Sequence, residues 1–425
     1  MLDPDYLREN PDEVKEAMER RGSDADIDGI LERDERWREL KQKGDDLRHE
    51  RNQTSQRIAE LKQEGKDDEA EEAIQRSQEL KEEIEEVEEE AERLKEERDE
   101  MLLRVPNVPH DSVPVGEDED DNVEVRRWGW DDRRDHGFEI EPHDVLAEEK
   151  GLIDFERASR ISGSGFFFMR GKGAKLHHGL VEFMRDLHDD EYEEVYPPVL
   201  VDTDAMKGTG QYPKFIEEGD AYGVEDEDLW LIPTAEVPVT NMYKGEYLSA
   251  DELPIYHQAV SACFRREAGK HGTETRGIAR VHQFDKVELV KFAEPDESYD
   301  EHETLLGDAE RVLQELGLPY RVLELCTGDL SFAAAKCYDL EVWAPAHERW
   351  LEVSSVSNFE DFQARRAELK YRPEPHLDLE HIHTLNGSGL AIPRVIIAIL
   401  EYYQTEDGTV EVPEALQEYV GFDEI

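Results

Sequence analysis

Between Ala262 and Glu288 the chain concentrates side chains that handle phosphates and bases. An apolar run ends at Cys263-Phe264, and Arg265-Arg266-Glu267 follow. A polar loop containing Gly269 and Thr275-Arg276-Gly277 intervenes, and a second run returns from Ala279 to Glu288. Under period-two geometry Arg280, His282, Phe284, Lys286 and Glu288 share one face of a strand. Arginines neutralise phosphate oxygens, a ring stacks on a base, and a carboxylate accepts from an amine. That face suits a nucleoside triphosphate. The same alternation also describes a salt-bridged surface ladder, and the segment alone supports both readings.

Other chemistries find less support. Glycines cluster at Gly163-Ser164-Gly165, Gly171-Lys172-Gly173 and Gly208-Thr209-Gly210, but none gives GxGxxG between a strand and a helix, or GxxxxGK[ST]. A P-loop or dinucleotide fold is therefore not expected. The 3 cysteines, Cys263, Cys326 and Cys337, form no CxxC pair, which argues against a disulfide framework or a zinc knuckle. They read as reduced, buried thiols. His381-x-His383 and His177-His178 lack a completing Cys or carboxylate cluster and read as structural histidines.

These residues need a scaffold. Ala279–Phe292 and Leu340–Trp343 alternate like strands, Glu301–Leu316 reads as an amphipathic helix, and Leu390–Tyr403 as a helix buried on one face. Strands outnumber the βα repeats a Rossmann sheet needs, so the expected class is α+β on an antiparallel sheet flanked by helices.

Ahead of this scaffold stands a helical region. Ile30, Trp37, Leu40, Leu47, Ile58 and Leu61 keep a 3,4 spacing, interrupted at Gly44, Arg51 and Thr54. Ala73, Ser77, Leu80, Ile84, Val87, Ala91, Leu94, Arg98, Met101 and Val105 keep it more cleanly. Gly65-Lys66-Asp67-Asp68 reads as a tight turn between two heptad helices, which predicts a long antiparallel coiled-coil hairpin. The joint to the rest falls near Val105-Pro106-Asn107-Val108-Pro109, giving expected domains of 1–105 and 106–425. Leu31–Lys62 holds nine basic and eight acidic residues, whereas Asp67–Arg104 holds six and eighteen. Arg48, Arg51, Gln53 and Arg57 lie along the first, nearly neutral helix. A solvated coiled coil that only oligomerises fits the same pattern.

The whole chain is strongly acidic: 425 residues carry 107 Asp and Glu against 50 Lys and Arg, a formal charge of −57. Such a balance ordinarily argues against a nucleic-acid partner. Spread over the whole chain, it instead fits an intracellular protein adapted to high salt, because at ~1 M the Debye length falls to ~3 Å and self-repulsion is screened. No apolar run approaches the ~20 residues of a membrane span. The charged Met1–Asn10 has no h-region, so no signal peptide is expected.

Taken together the motifs resemble one family. Phe264-Arg265-x-Glu267, a loop, then Arg280-x-His282-Gln283-Phe284-x-Lys286-Val287-Glu288 resembles motif 2 of class II aminoacyl-tRNA synthetases, and in detail the common zinc-free seryl-tRNA synthetases. The opening Met1-Leu2-Asp3 and Arg8-Glu9-Asn10-Pro11 resemble that family's N-terminus. Similar segments are Gly208-Thr209-Gly210-Gln211 with Pro213-Lys214-Phe215, and Leu231-Ile232-Pro233-Thr234-Ala235-Glu236. Asn386 to Arg394 resembles motif 3, and Glu191 to Pro198 resembles motif 1, which in that family builds a dimer interface. The resemblance covers almost the whole chain. Two departures stand out: Glu191 replaces the usual Gly before Tyr192, and Arg266 stands where the family often has Ser.

The resemblance implies a serine–tRNA ligase that uses ATP and Mg²⁺, with no zinc expected. It would form seryl-adenylate, then charge tRNA(Ser), and tRNA(Sec) where present. It implies a cytoplasmic homodimer with tRNA bound across the dimer and no membrane association. Arg265, Arg280 and Arg394 would be catalytic. They would bind ATP together with Arg266, Glu267, Val281, Phe284, Glu352, Val353, Ser354 and Ser355. Glu352 and Ser355 would hold the metal. Thr234, Ala235, Glu236, Glu288 and Ser388 would bind serine. Arg48, Arg51 and Arg57 on the arm would meet tRNA. Two other readings compete: a ligase charging a carrier protein, which the long hairpin opposes, and a coiled-coil adaptor with a degenerate synthetase domain, which the intact charged set opposes.

Overall fold

The computed structural model describes residues 1–268 and 277–425; Gly269, Thr275 and Arg276 of the polar loop lie outside the described residues. Contacts divide the chain into two compact units. The smaller holds Leu2–Glu19 and Ser23–Val105, and the larger holds Met1, Arg20–Gly22 and Pro106–Ile425.

In the smaller unit, two short helices, α1 (Pro4–Glu9) and α2 (Pro11–Arg20), precede two long ones, α3 (Ile27–Gln63) and α4 (Asp67–Leu102). Asp26 caps α3, its carboxylate accepting from Gly29 N at 2.9 Å. The turn is shorter than the sequence indicates: Gly65 takes φ +71°, and Asp67 and Asp68 already form the acidic first turn of α4, where the helix dipole favours them. At ~1.5 Å per residue each long helix spans about 55 Å. Leu40 and Leu47 pack against Leu80, Ile84, Val87 and Leu94. Arg98 occupies a seam position because Asp34, itself buried, accepts from it at 2.7 Å, while Trp37 lies under the guanidinium at 4.7 Å. A buried charge is tolerated only with such partners.

The larger unit is built on an eight-stranded sheet: β1 (Val123–Trp128), β2 (Glu193–Val195), β3 (Ile255–Phe264), β4 (Gln283–Ala293), β5 (Tyr320–Glu324), β6 (Lys336–Ala344), β7 (Arg349–Asn358) and β8 (His383–Ala391). Their order is β1-β5-β6-β7-β8-β4-β3-β2. Every neighbouring pair is antiparallel except β2 with β3. Helices α5 (Lys172–His188), α6 (Ser298–Glu315) and α7 (Ile392–Tyr402) contribute Leu180, Leu305 and Ile396 to the main core. Val287 and Leu289 of β4 enter that core, while Val290 and Phe292 enter a second one on the opposite face.

Helix α7 departs from its expected one-sided burial. From Ile392 to Tyr402 every residue but Arg394 is buried. Its polar member, Glu401, is wholly buried and accepts from His143 Nδ1 at 2.9 Å and His347 Nδ1 at 3.0 Å.

Candidate active site

Strands β4, β7 and β8, with the loop after β3 and the first turn of α7, wall a cavity of about 410 Å³, a size that accepts a nucleotide and a small second substrate. Register places its side chains. On β4, Phe284 lies opposite Cys263, Lys286 opposite Ser261, and Glu288 opposite both Ala259 of β3 and Ser388 of β8. Arg265 follows the end of β3. Pro393 opens α7, so Arg394 leaves its first turn beside the cavity.

One end of the cavity is cationic. Arg265, Arg280 and Arg394 line it, with Glu267 and Glu352 between them. Arg265 lies 5.4 Å from the Phe284 ring centre and donates to Pro233 O at 3.3 Å. Arg280 stands 3.4 Å from Glu267, which takes a left-handed φ of +51°. Such backbone is costly without glycine and collects at functional loops. Arg394 donates to Ala279 O at 3.2 Å and to Glu352 O at 2.6 Å.

Burial raises the Glu352 carboxyl, but the charges of Arg394, Arg265 and Arg280 outweigh it and hold the group below its ordinary value. Solvent reaches this side chain through the cavity although protein surrounds it. Across the strand pair, burial and the Glu352 charge push Asp339 well above the carboxylate range. Ser355 Oγ lies 3.1 Å from Cys337 Sγ. A carboxylate and a hydroxyl on the cavity wall are hard oxygen donors, which suit Mg²⁺. Burial also pushes the Cys263 and Cys337 thiols up, so neither is an activated nucleophile.

The other end is a buried polar nest. Thr234 Oγ1 donates to Glu288 Oε2 at 2.5 Å. Lys286 Nζ donates to Thr234 Oγ1 at 2.9 Å and pairs with Glu288. Asn386 Nδ2 reaches Glu288 Oε1 at 3.0 Å and Glu236 Oε2 at 3.2 Å, and Gln363 Nε2 donates to Glu236 Oε1 at 2.6 Å. Burial, then the Glu288 charge, push the Glu236 carboxyl up to about 7.

The cavity thus gathers most of the residues singled out from sequence: Arg265, Glu267, Arg280, Val281, Phe284, Arg394, Glu352, Val353, Ser355, Thr234, Glu236 and Ser388 line it, with Glu288 directly behind Thr234. Three more of the expected ATP and serine ligands do not line it. Arg266 turns over the Tyr222 ring at 5.8 Å. Ser354 is buried and donates to Ser388 O at 2.6 Å, fastening β7 to β8. Ala235 packs into the second core.

The expected strand face is also shorter than the alternation suggests. Strand β4 begins at Gln283, so Arg280 enters the cavity from the preceding loop and His282 turns elsewhere. The His282 Nδ1 meets Arg265 O at 3.0 Å, and its ring stacks on Phe166 at 5.3 Å. Gly165, at φ +79°, makes room for it, since a Cβ there would lie 2.2 Å from the ring.

Lys286, Asn386, Gln363 and Arg21 were not singled out as site residues. Lys286 shares the predicted strand face and Asn386 opens the third motif, so both had a signal. Arg21 had none. It donates to the carbonyls of Asn107, Leu330 and Ala334 at 3.0 Å each and of Ser331 at 2.6 Å, holding the stretch whose Ser331, Phe332 and Ala333 line the cavity.

An antiparallel sheet with arginines at a loop-linked strand pair and at a strand-to-helix joint is a class II tRNA synthetase architecture. Residues 222–403 match the model of the tRNA synthetase class II core domain (G, H, P, S and T), and residues 1–109 match the seryl-tRNA synthetase N-terminal domain. The chain is 57% identical to the serine–tRNA ligase of Halobacterium salinarum over 99% of this chain and 95% of that protein. It is 59% identical to that of Haloarcula marismortui, over 100% and 96%, and 56% identical to that of Caldanaerobacter subterraneus, over 100% and 99%. Among solved structures it resembles the seryl-tRNA synthetase from Pyrococcus horikoshii complexed with ATP, with a TM-score of 0.94, 40% identity, and coverage of 100% of this chain and 99% of that one. The chain belongs to the seryl-tRNA synthetase family.

Proposed function

We propose a division of labour in the cavity for the reaction of this family. The chain is a serine–tRNA ligase: it activates L-serine with ATP to seryl-adenylate and pyrophosphate, then transfers serine to the 3′-terminal adenosine of tRNA(Ser). The supporting observation is that one cavity places an arginine-rich end beside a buried nest of Thr234, Glu236, Glu288 and Asn386.

In the first step the serine carboxylate attacks the α-phosphorus and pyrophosphate leaves. Negative charge builds on phosphate oxygens, so fixed cations contribute most of the stabilisation. Arg265 holds the α-phosphate, Arg280 the pyrophosphate end, and Arg394 reaches toward the γ-phosphate. Phe284 stacks on the adenine, with Arg394 on its other side, and Glu267 lies near its edge. Val281 and Val353 supply wall. Glu352 and Ser355 would hold Mg²⁺, which when bound would supply further neutralisation of phosphate charge. No covalent enzyme intermediate is required.

Serine is small and polar. Thr234, Glu236, Glu288 and Ser388 take its ammonium and hydroxyl. Alanine would leave buried polar groups unpaired, which a site of this kind rejects strongly. In the second step the terminal ribose hydroxyl attacks the acyl carbonyl and AMP leaves.

We further propose that residues 1–105 form the tRNA-binding part and 106–425 the catalytic part. Arg48, Arg51 and Arg57 would face the tRNA backbone, because duplex RNA is read by shape and phosphate. A cytoplasmic homodimer is the proposed assembly, with tRNA bridging the two copies. Tyr196, in the segment that resembles the family's dimer-building motif, is 97% exposed, which leaves its ring open to a second copy. No described helix is long and apolar enough to cross a membrane. Charging assays with tRNA(Ser) and tRNA(Sec), following amino-acid-dependent ATP–pyrophosphate exchange with all twenty amino acids, test this reading. Exchange without charging of any tRNA would favour the carrier-protein alternative.

A further inference from the structure

The short helix Phe362–Arg366 carries a wholly buried amide, Gln363, whose hydrogen bonds allow only one orientation. Its Nε2 donates to Glu236 Oε1 at 2.6 Å and to Thr209 O at 3.3 Å. Its Oε1 accepts from Thr384 Oγ1 at 2.7 Å. A flipped amide would set its oxygen against a carboxylate and a carbonyl. The amide is thus a fixed donor, held from β8 by Thr384 and aimed at the Glu236 oxygen that Asn386 does not touch.

We propose that Gln363 is a positioning residue for serine selection: it locks the Glu236 carboxylate in place, ready for the ammonium or hydroxyl of the amino acid. The inference rests on the reading that Glu236 touches serine. With Gln363 on Oε1 and Asn386 on Oε2, the carboxylate cannot rotate without breaking one of the two bonds. Its remaining lone pairs are left for a ligand in the cavity that it lines.

The charges around Glu236 make the donor matter. Glu288 of β4 opposes ionisation of Glu236, as does burial, whereas Gln363, Lys286 of β4 and Arg265 after β3 favour it. Without the amide N–H, Glu236 keeps its proton to higher pH and binds a cation less well.

The experiment measures serine-dependent ATP–pyrophosphate exchange against pH for the full-length protein, its Gln363→Met and Gln363→Leu variants, and Glu236→Gln. Methionine keeps length and volume, so it serves if the leucine variant does not fold. Losing a hydrogen bond to a charged group predicts a serine KM raised about tenfold or more. The ATP KM is unchanged, and the pH at which serine KM begins to fall moves upward. If Glu236→Gln leaves serine KM at the wild-type value, Glu236 does not touch serine and the underlying reading fails. If Glu236→Gln raises serine KM while folded Gln363→Met keeps both wild-type KM and pH profile, the positioning role of Gln363 is overturned. Equal rises in serine and ATP KM with no pH displacement would show a purely structural amide and overturn it as well.

Discussion

Arg394 and Glu352 face each other at 3.4 Å, Arg394 in the first turn of a helix and Glu352 on β7. Arg394 also donates to the Glu352 carbonyl. One guanidinium therefore fixes the backbone of the metal-binding candidate and keeps its side chain ionised.

Replacing that carboxylate removes a hard anionic oxygen from the cavity wall. For Glu352→Gln we expect serine-dependent exchange to fall on the order of 100-fold at fixed Mg²⁺. The Mg²⁺ concentration for half-maximal rate should rise. An unchanged Mg²⁺ titration would remove Glu352 from the metal site.

The arm should act on tRNA alone. Arg48 is exposed and pairs with Asp45 at 2.7 Å and Glu88 at 2.5 Å, while Arg57 stands 3.5 Å from Glu60. Exposed pairs of this kind contribute little and exchange readily for phosphate. Among the described residues Arg51 has no ion-pair partner. Replacing all three by alanine should raise the KM for tRNA about tenfold or more, with a shallower salt dependence. Serine activation should stay at the wild-type rate. A parallel loss of activation would contradict the arm's assignment.

The proposed contact of Glu236 with serine would link affinity to pH. Its carboxyl sits at about 7 in the free protein, against an ordinary 4.5. A serine ammonium beside it lowers that value, so binding releases a proton near neutrality, and affinity rises from about pH 6 to about pH 8. In the free protein the sign is opposite for stability. The unfolded chain gives up this proton first, so the Glu236 contribution declines as pH rises from 4.5 toward 7. Calorimetry in buffers of different ionisation enthalpy measures the proton. Binding with no proton exchange at pH 6.5 would show that Glu236 is already charged or untouched.

The net charge of −57 predicts dependence on salt. Thermal midpoints should climb by several degrees or more between low and molar KCl, because self-repulsion is screened over ~3 Å at ~1 M. A midpoint independent of KCl would show that the acidic surface is not an adaptation to salt.

Legibility in the sequence followed the physics of each element. The hairpin was legible because heptad spacing directly encodes a buried seam. Even Arg98 stood out as a seam residue, although only the fold supplies Asp34 as its partner. The start of β4 was misplaced because polar–apolar alternation runs on through Ala279–His282, where no neighbouring strand continues the ladder. Arg266 sits inside the second motif and Ser354 among the expected ATP ligands, yet their side chains point elsewhere, which spacing cannot reveal. Gln363 and Arg21 gave no signal, since their roles lie in partners 127 and about 310 positions away.

The most direct measurement is ATP–pyrophosphate exchange for the wild-type protein with each of the twenty amino acids, beside Arg265→Ala shown to be folded. Serine alone should support exchange, and Arg265→Ala should reduce it to background. Comparable exchange with another amino acid, or near-wild-type exchange by Arg265→Ala, would contradict serine activation at this cavity.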